Sequence, residues 1–107
     1  RARTFAIRKD AEAMRAAGLG RGADYENTVV IDGARALHTT LRFTDEPVRH
    51  KVLDLIGDLC LLGRPLHAHV VASCSGHKAN HALVMRLREI QAGMTREPAG
   101  AAVTGVT

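Results

Sequence analysis

The sequence predicts an α+β fold: a two-layer sandwich in which helices pack on one face of a small mixed β-sheet, with a β-α-β insert. Three observations lead there. Short β-like runs alternate with segments of helical periodicity. Two of those helical segments are amphipathic, and the longer one has clear start and stop signals. A run, a helix and a second run near the N-terminus make one compact strand–helix–strand unit.

The elements follow in order. Thr4 to Ile7 are apolar enough for a short strand. Lys9 to Ala17 read as a helix, because Ala11, Met14 and Ala17 recur at helical spacing and Asp10 and Glu12 suit the first turn. Gly18-Leu19-Gly20-Arg21-Gly22 ends it in a turn. Thr28 to Ile31 is a β-branched strand closed by Asp32-Gly33, and the insert spans about residues 5–31. Leu41 to Phe43 is expected as another short strand. Asp45 is placed as N-cap of the main helix, Pro47 to Leu62, with Glu46 and Pro47 in the turn after it. Val48, Leu55, Ile56, Leu59 and Leu62 outline that helix's apolar face. Gly63 stops it and Pro65 follows. His69 to Ser73 is a further β-like run, Ser75-Gly76 a turn, and His77 to Gln91 a second amphipathic helix with Ala82, Leu83, Met85, Leu87 and Ile90 apolar. Residues 1–91 thus read as one domain, and 92–107, rich in Gly, Ala and Thr, as a flexible tail or linker.

Composition narrows the function classes. The chain has 107 residues, 46% of them hydrophobic, enough for one modest core. Phe5, Tyr25 and Phe43 are its aromatics, so Leu, Val, Ile and Ala must build that core. A net charge of +4 admits a polyanionic partner. The arginines are scattered, however, and three aromatics are too few for a base-stacking surface, which disfavours nucleic acid. Cys60 and Cys74 do not make a disulfide framework; their apolar neighbours are those of buried thiols, and a reducing, cytoplasmic setting follows. No stretch reads as a signal peptide or a transmembrane segment.

The main helix carries the chemistry. In His50-Lys51-Val52-Leu53-Asp54-Leu55-Ile56-Gly57-Asp58, positions 50 and 54 lie one turn apart, and Asp58 continues close to the same stripe. A ring nitrogen and a carboxylate oxygen aimed at one point suit zinc or a similar divalent ion, although a catalytic site usually has a third protein ligand. On spacing alone, a His–Asp contact on a solvated helix face is the commoner arrangement. Two features raise the stakes: the helix is otherwise apolar, and Gly57 in its interior costs about 1 kcal/mol relative to Ala, which points to close packing there. Ser73-Cys74-Ser75-Gly76-His77 places a second histidine just after a turn at a strand-to-helix junction, where it could act as general acid or base or simply cap the helix. His77 and His81 form another i, i+4 pair, a metal site only if a third ligand stands beside it. His67 and His69 would share one face of a strand and are the weakest candidates.

Two long motifs occur together. The run from Phe43 to Leu59, followed by Gly63-Arg64-Pro65 and Ser75-Gly76-His77, resembles the UDP-3-O-acyl-N-acetylglucosamine deacetylases of lipid A biosynthesis. Ala2-Arg3-Thr4-Phe5 and the glycine-rich turn at 18–22 match that family too, and the resemblance covers about residues 1–88. It implies a zinc-dependent amide hydrolase with a UDP-linked acylated amino sugar as substrate. It makes His50 and Asp54 two of three Zn2+ ligands, and His77 the catalytic histidine, oriented by Asp58. Thr4 would help stabilise the oxyanion and Lys51 would contact substrate. Phe5 would also bind substrate, and Ala23, Tyr25 and Thr28 would stand at positions of an acyl-chain tunnel walled by the strand–helix–strand unit.

The sequence also departs from the pattern. Pro47 replaces an aromatic, Arg64 a histidine and Cys74 a lysine; Thr28 is more polar than a tunnel position implies, and Lys78 and His81 alter the run after His77. The family's third zinc-ligating histidine and its general-base glutamate belong to an N-terminal half that this sequence does not contain. The expectation is therefore the C-terminal half of a hydrolase, inactive without its N-terminal domain. The alternative is a standalone, non-enzymatic domain that keeps the fold and binds metal weakly or not at all.

Overall fold

The computed structural model describes residues 1–94 and divides the chain into two compact units, Arg1–His50 and the part from Lys51 onward. Its elements are β1 (Thr4–Ile7), α1 (Arg8–Ala16), β2 (Thr28–Asp32), β3 (Arg35–Leu37), α2 (Glu46–Leu59), a 3-10 turn (Cys60–Leu62) and α3 (His77–Met94). A small mixed sheet with three helices makes the fold α+β, as expected. None of the described helices is long and apolar enough to cross a membrane.

The first unit holds the sheet, in the order β1-β2-β3. β1 and β2 run parallel, pairing Thr4 with Thr28 and Ile7 with Ile31, with α1 as the connecting helix. This is the strand–helix–strand unit read from the sequence. β2 then turns antiparallel into β3, pairing Asp32 with Arg35. The two-residue turn between them starts at Gly33, whose φ of +60° a side-chain-bearing residue adopts poorly. Val29, in the central strand, is fully buried.

The third strand corrects the sequence reading. It lies at Arg35–Leu37 and not at Leu41 to Phe43, where Arg42 and Phe43 form a bend. The reason is a side chain: the Arg42 N–H donates to Glu46 Oε2 at 2.8 Å, so the backbone there serves a carboxylate instead of a ladder.

That carboxylate belongs to a buried ion pair. Arg3 donates its backbone N–H and its Nε to Glu46 Oε1, each at 2.9 Å, and its Nη2 to Oε2 at 3.0 Å. The remaining guanidinium hydrogens reach Thr39 Oγ1 at 2.8 Å, the Thr40 carbonyl at 2.7 Å and the Tyr25 carbonyl at 3.4 Å. Glu46 is fully buried, and Arg3 is 7% exposed. Asp45 sits where the N-cap was expected. Its carbonyl accepts the Arg49 N–H at 3.0 Å, while its carboxylate pairs with Arg49 Nε at 2.7 Å.

The Arg3 guanidinium, helped by the backbone N–H groups of Arg3 and Arg42, holds the Glu46 carboxyl at about 2, against an ordinary 4.5, despite its burial. A depressed carboxyl contributes stability above its ordinary value and loses it as pH falls toward the lowered one. Glu46→Gln strands the buried guanidinium and should lower the thermal midpoint at pH 7 by roughly 10 °C or more. Most of that gap from wild type should close by about pH 3 in thermal unfolding followed by circular dichroism. An undiminished gap at low pH would mean that the ion pair is not its source.

In the second unit α2 ends in the 3-10 turn, and Gly63 at φ +71° closes it in the left-handed conformation. Arg88 of α3 donates to the Leu61 carbonyl at 2.6 Å. Among the described residues of this unit, Leu62 and Val84 are the buried apolar ones. On the two long helices several expectations change. Val48 and Ile56, assigned to the apolar face of α2, are 63% and 56% exposed. On α3 it is Val84, not Met85 or Ala82, that is buried. A Cβ on Gly57 would meet nothing within 4 Å, so that glycine marks no close approach.

His69 to Ser73 form no strand among the described residues. Val71 is 81% exposed, and a β-branched run without a partner edge has no ladder to join. His67 and His69 stand exposed on the same irregular stretch. Cys60 and Cys74 are exposed thiols, not buried ones; Cys74 lies in a turn at φ +50°. Ala92–Met94, assigned to the tail, continue α3, and the rest of the expected tail lies outside the described residues.

Candidate active site

In the second unit the site centres on Asp58, which is 8% exposed. His77 opens α3, and Asn80 and His81 follow at i+3 and i+4 on the same helix face. The three side chains converge on the one carboxylate. His77 Nδ1 lies 2.8 Å from Asp58 Oδ2, the Asn80 amide donates to the same oxygen at 2.9 Å, and His81 Nε2 lies 3.1 Å from Oδ1. The Asn80 amide, then His77 and His81, hold the Asp58 carboxyl below the usual carboxylate range against the opposing effect of burial. Asp58 therefore stays ionised at neutral pH and acts as an acceptor toward His77 Nδ1–H. That fixes the tautomer of His77 and turns Nε2 to the other side of the ring, where it lies 3.9 Å from Asp54 Oδ2. Lys51 reaches the same turn: a Cβ on Gly76 would lie 3.8 Å from its Nζ.

In the first unit His50 sits on the opening turns of α2 with Nδ1 3.1 Å from the Ala2 carbonyl. A carbonyl only accepts, so Nδ1 carries the proton and Nε2 the lone pair a metal would take. Thr4 begins β1, exposed, two residues after Ala2. Phe5 sets its ring edge-on to His50, with centroids 6.4 Å apart at 83°. The opposite face of the strand, through Ala6, lines a cavity of about 310 Å³. Ala23, Tyr25 and Thr28 line the same cavity, with Ala11, Met14, Leu19 and Leu37. The three residues assigned to tunnel positions thus share one space, and Phe5, assigned to substrate, lies on the other face of β1.

The family model for UDP-3-O-acyl N-acetylglycosamine deacetylase matches residues 1–89. A UDP-3-O-acyl-N-acetylglucosamine deacetylase from Anaeromyxobacter sp. (strain Fw109-5) is 52% identical over 88 residues, covering 81% of this chain. Those from Acidithiobacillus ferrooxidans and Chlamydia caviae are 54% identical over 84 residues and 52% over 90, covering 78% and 82% of it. The chain belongs to this family. It spans about a third or less of these relatives: 29%, 26% and 32% of their lengths respectively.

Two parts of the site escaped the sequence reading. Asn80 was not singled out, although its place three residues after His77 puts it on the face that meets Asp58. The Arg3–Glu46 pair was invisible because its partners are 43 residues apart and Glu46 reads as an ordinary first-turn acid. That pair ties the start of β1 to the start of α2, and so fixes the Ala2 carbonyl that orients His50.

Proposed function

We propose that this chain supplies part of the active site of a cytoplasmic, zinc-dependent hydrolase that removes the N-acetyl group of UDP-3-O-acyl-N-acetylglucosamine in lipid A biosynthesis. The observation that carries this reading is the Asp58–His77 pair: a buried, ionised carboxylate holds Nδ1 of an exposed histidine, whose Nε2 is turned toward Asp54.

Donor chemistry at His50 and Asp54 fits zinc: an imidazole with Nδ1 committed to a carbonyl, and a carboxylate one helical turn on. They would hold the ion with a third ligand from an N-terminal domain, which would also bring the general base. When bound, zinc supplies Lewis-acid polarisation of the acetyl carbonyl and an activated water. The chain's own residues do the rest. His77, protonated at Nε2, donates toward the oxyanion and then to the departing amine, and Asp58 balances its charge. Thr4 donates toward the same oxyanion. Lys51, beside the Gly76 turn, meets the sugar nucleotide, whose diphosphate suits a chain of net charge +4. The cavity behind β1 and β2 takes the acyl chain, its 310 Å³ being close to the lower end of ligand pockets.

The test is deacetylation by the full-length protein, stripped with a chelator and reloaded with zinc. Turnover should vanish and return, and the isolated 107-residue chain should show none. A zinc-loaded, full-length protein without turnover would leave the non-enzymatic reading. The acyl assignment has its own check. Ala23→Leu fills part of the cavity and should raise KM for long-chain substrate roughly ten-fold while leaving kcat for a short-chain analogue unchanged. Equal effects on both substrates would place the acyl chain elsewhere.

A further inference from the structure

We propose that His38 is a substrate-binding residue, whose ring N–H holds the ester carbonyl of the 3-O-acyl group where the chain enters the cavity of the first unit. This deepens, and rests on, the reading of that cavity as the acyl site. Two observations single out His38. Its backbone is left-handed, at φ +55°, a conformation that costs a residue bearing a Cβ and that gathers at functional sites. It also lines the cavity, with its ring against that of Tyr25, centroids 4.7 Å apart and planes at 56°. The fold builds this pair from two loops. Arg3 gives Nη1 to the Tyr25 carbonyl at 3.4 Å and to Thr39 Oγ1 at 2.8 Å, and Nη2 to the Thr40 carbonyl at 2.7 Å. One buried guanidinium thus ties the chain before β2 to the chain after β3, and Tyr25 and His38 stand at those anchors.

The sheet register decides which end of the cavity they occupy. Leu37 pairs with Val30 and β3 runs antiparallel to β2, so His38 lies toward the Thr28 end. Thr28 pairs with Thr4, and the Ala2 carbonyl, just before it, holds His50. The two rings therefore stand at the end nearest the proposed zinc ligand, where the ester joins the sugar. A carbonyl taken out of water there wants a donor. The Thr28 hydroxyl is committed to Asn27 Oδ1 at 2.9 Å. Arg8, past the other end of β1, is held by Glu12 at 2.8 Å and Asp32 at 2.9 Å. Arg15 projects from α1, the layer across the cavity from the sheet. His38 and Tyr25 remain at the mouth. An imidazole carries one N–H in either neutral tautomer, and the Tyr25 ring beside it limits its rotation.

The experiment compares, in the full-length protein, the 3-O-acyl ester substrate with its 3-O-alkyl ether of equal chain length, which lacks the carbonyl. Wild type should show a KM roughly ten-fold higher for the ether, the effect of one unmade hydrogen bond. His38→Phe keeps a ring against Tyr25 but has no N–H. It should raise KM for the ester roughly ten-fold and leave that for the ether within about two-fold. Circular dichroism checks the fold, and His38→Gly, which tolerates a positive φ, serves if His38→Phe loses it. Tyr25→Phe should keep the preference for ester. Three results overturn the proposal: an unchanged ester KM in a folded His38 variant, an equal loss on ester and ether, or an ester preference that survives at His38 and disappears in Tyr25→Phe or Arg15→Gln. Failure here is distinct from failure of the acyl reading. If His38 alone is misassigned, Ala23→Leu still separates long from short chains; if the chain lies elsewhere, it does not.

Discussion

Replacing His77 by alanine in the full-length protein should lower kcat for deacetylation by roughly 10²–10⁴-fold, the range for loss of a positioned general acid. KM should change little, because the proton is delivered only as the C–N bond breaks. Asp58→Asn should cost roughly 10²–10⁴-fold, since an amide can present its NH2 to Nδ1, imposing the wrong tautomer on His77, and no longer balances the imidazolium. Asp58 also fixes the sign of one pH effect. Its carboxyl lies below the usual carboxylate range, held there first by Asn80 and then by His77 and His81. Its support is therefore complete at neutral pH and is lost only as pH falls through that lowered value. Asn80→Ala removes the first of these partners and should move the loss of activity on acidification to higher pH. Steady-state kinetics across pH measure all three variants. A His77→Ala kcat within about three-fold of wild type would remove His77 from proton transfer.

What the sequence made legible follows a physical line. Periodicity and punctuation located β1, α1, β2 and both long helices, because these elements are set by local spacing, Gly33 and Gly63. The third strand was misplaced because Arg35–Leu37 is short and its pairing depends on the Gly33 turn, while Leu41 to Phe43 look more strand-like yet give an N–H to Glu46. His69 to Ser73 failed for the same reason: β propensity describes fit to a sheet and cannot provide the neighbouring strand. In the site, residues on one helix were readable as pairs, His50 with Asp54 and His77 with His81. What joins one element to another was not readable from spacing, and only the resemblance linked Asp58 to His77. Asp58 meeting three side chains of α3, and Arg3 meeting Glu46, are long-range contacts that no spacing rule encodes.

Loss of the zinc ligands should have the largest effect of all. In the full-length protein, His50→Ala or Asp54→Ala should reduce bound zinc from about one per chain to a small fraction and lower kcat at least as far as His77→Ala. Three ligands and water satisfy catalytic zinc; two protein ligands leave it to exchange with solvent. His77→Ala then separates two causes of inactivity, because it should abolish proton transfer and keep the zinc. The Ala2 carbonyl provides a finer comparison. It holds His50 Nδ1 at 3.1 Å, and Arg3 holds that stretch of chain to Glu46. Glu46→Gln should therefore weaken zinc binding, by roughly 10-fold, as loss of an outer-shell support does. Zinc content by atomic absorption decides the ligand assignment. Unchanged metal in the His50→Ala and Asp54→Ala variants would show that α2 does not hold the ion.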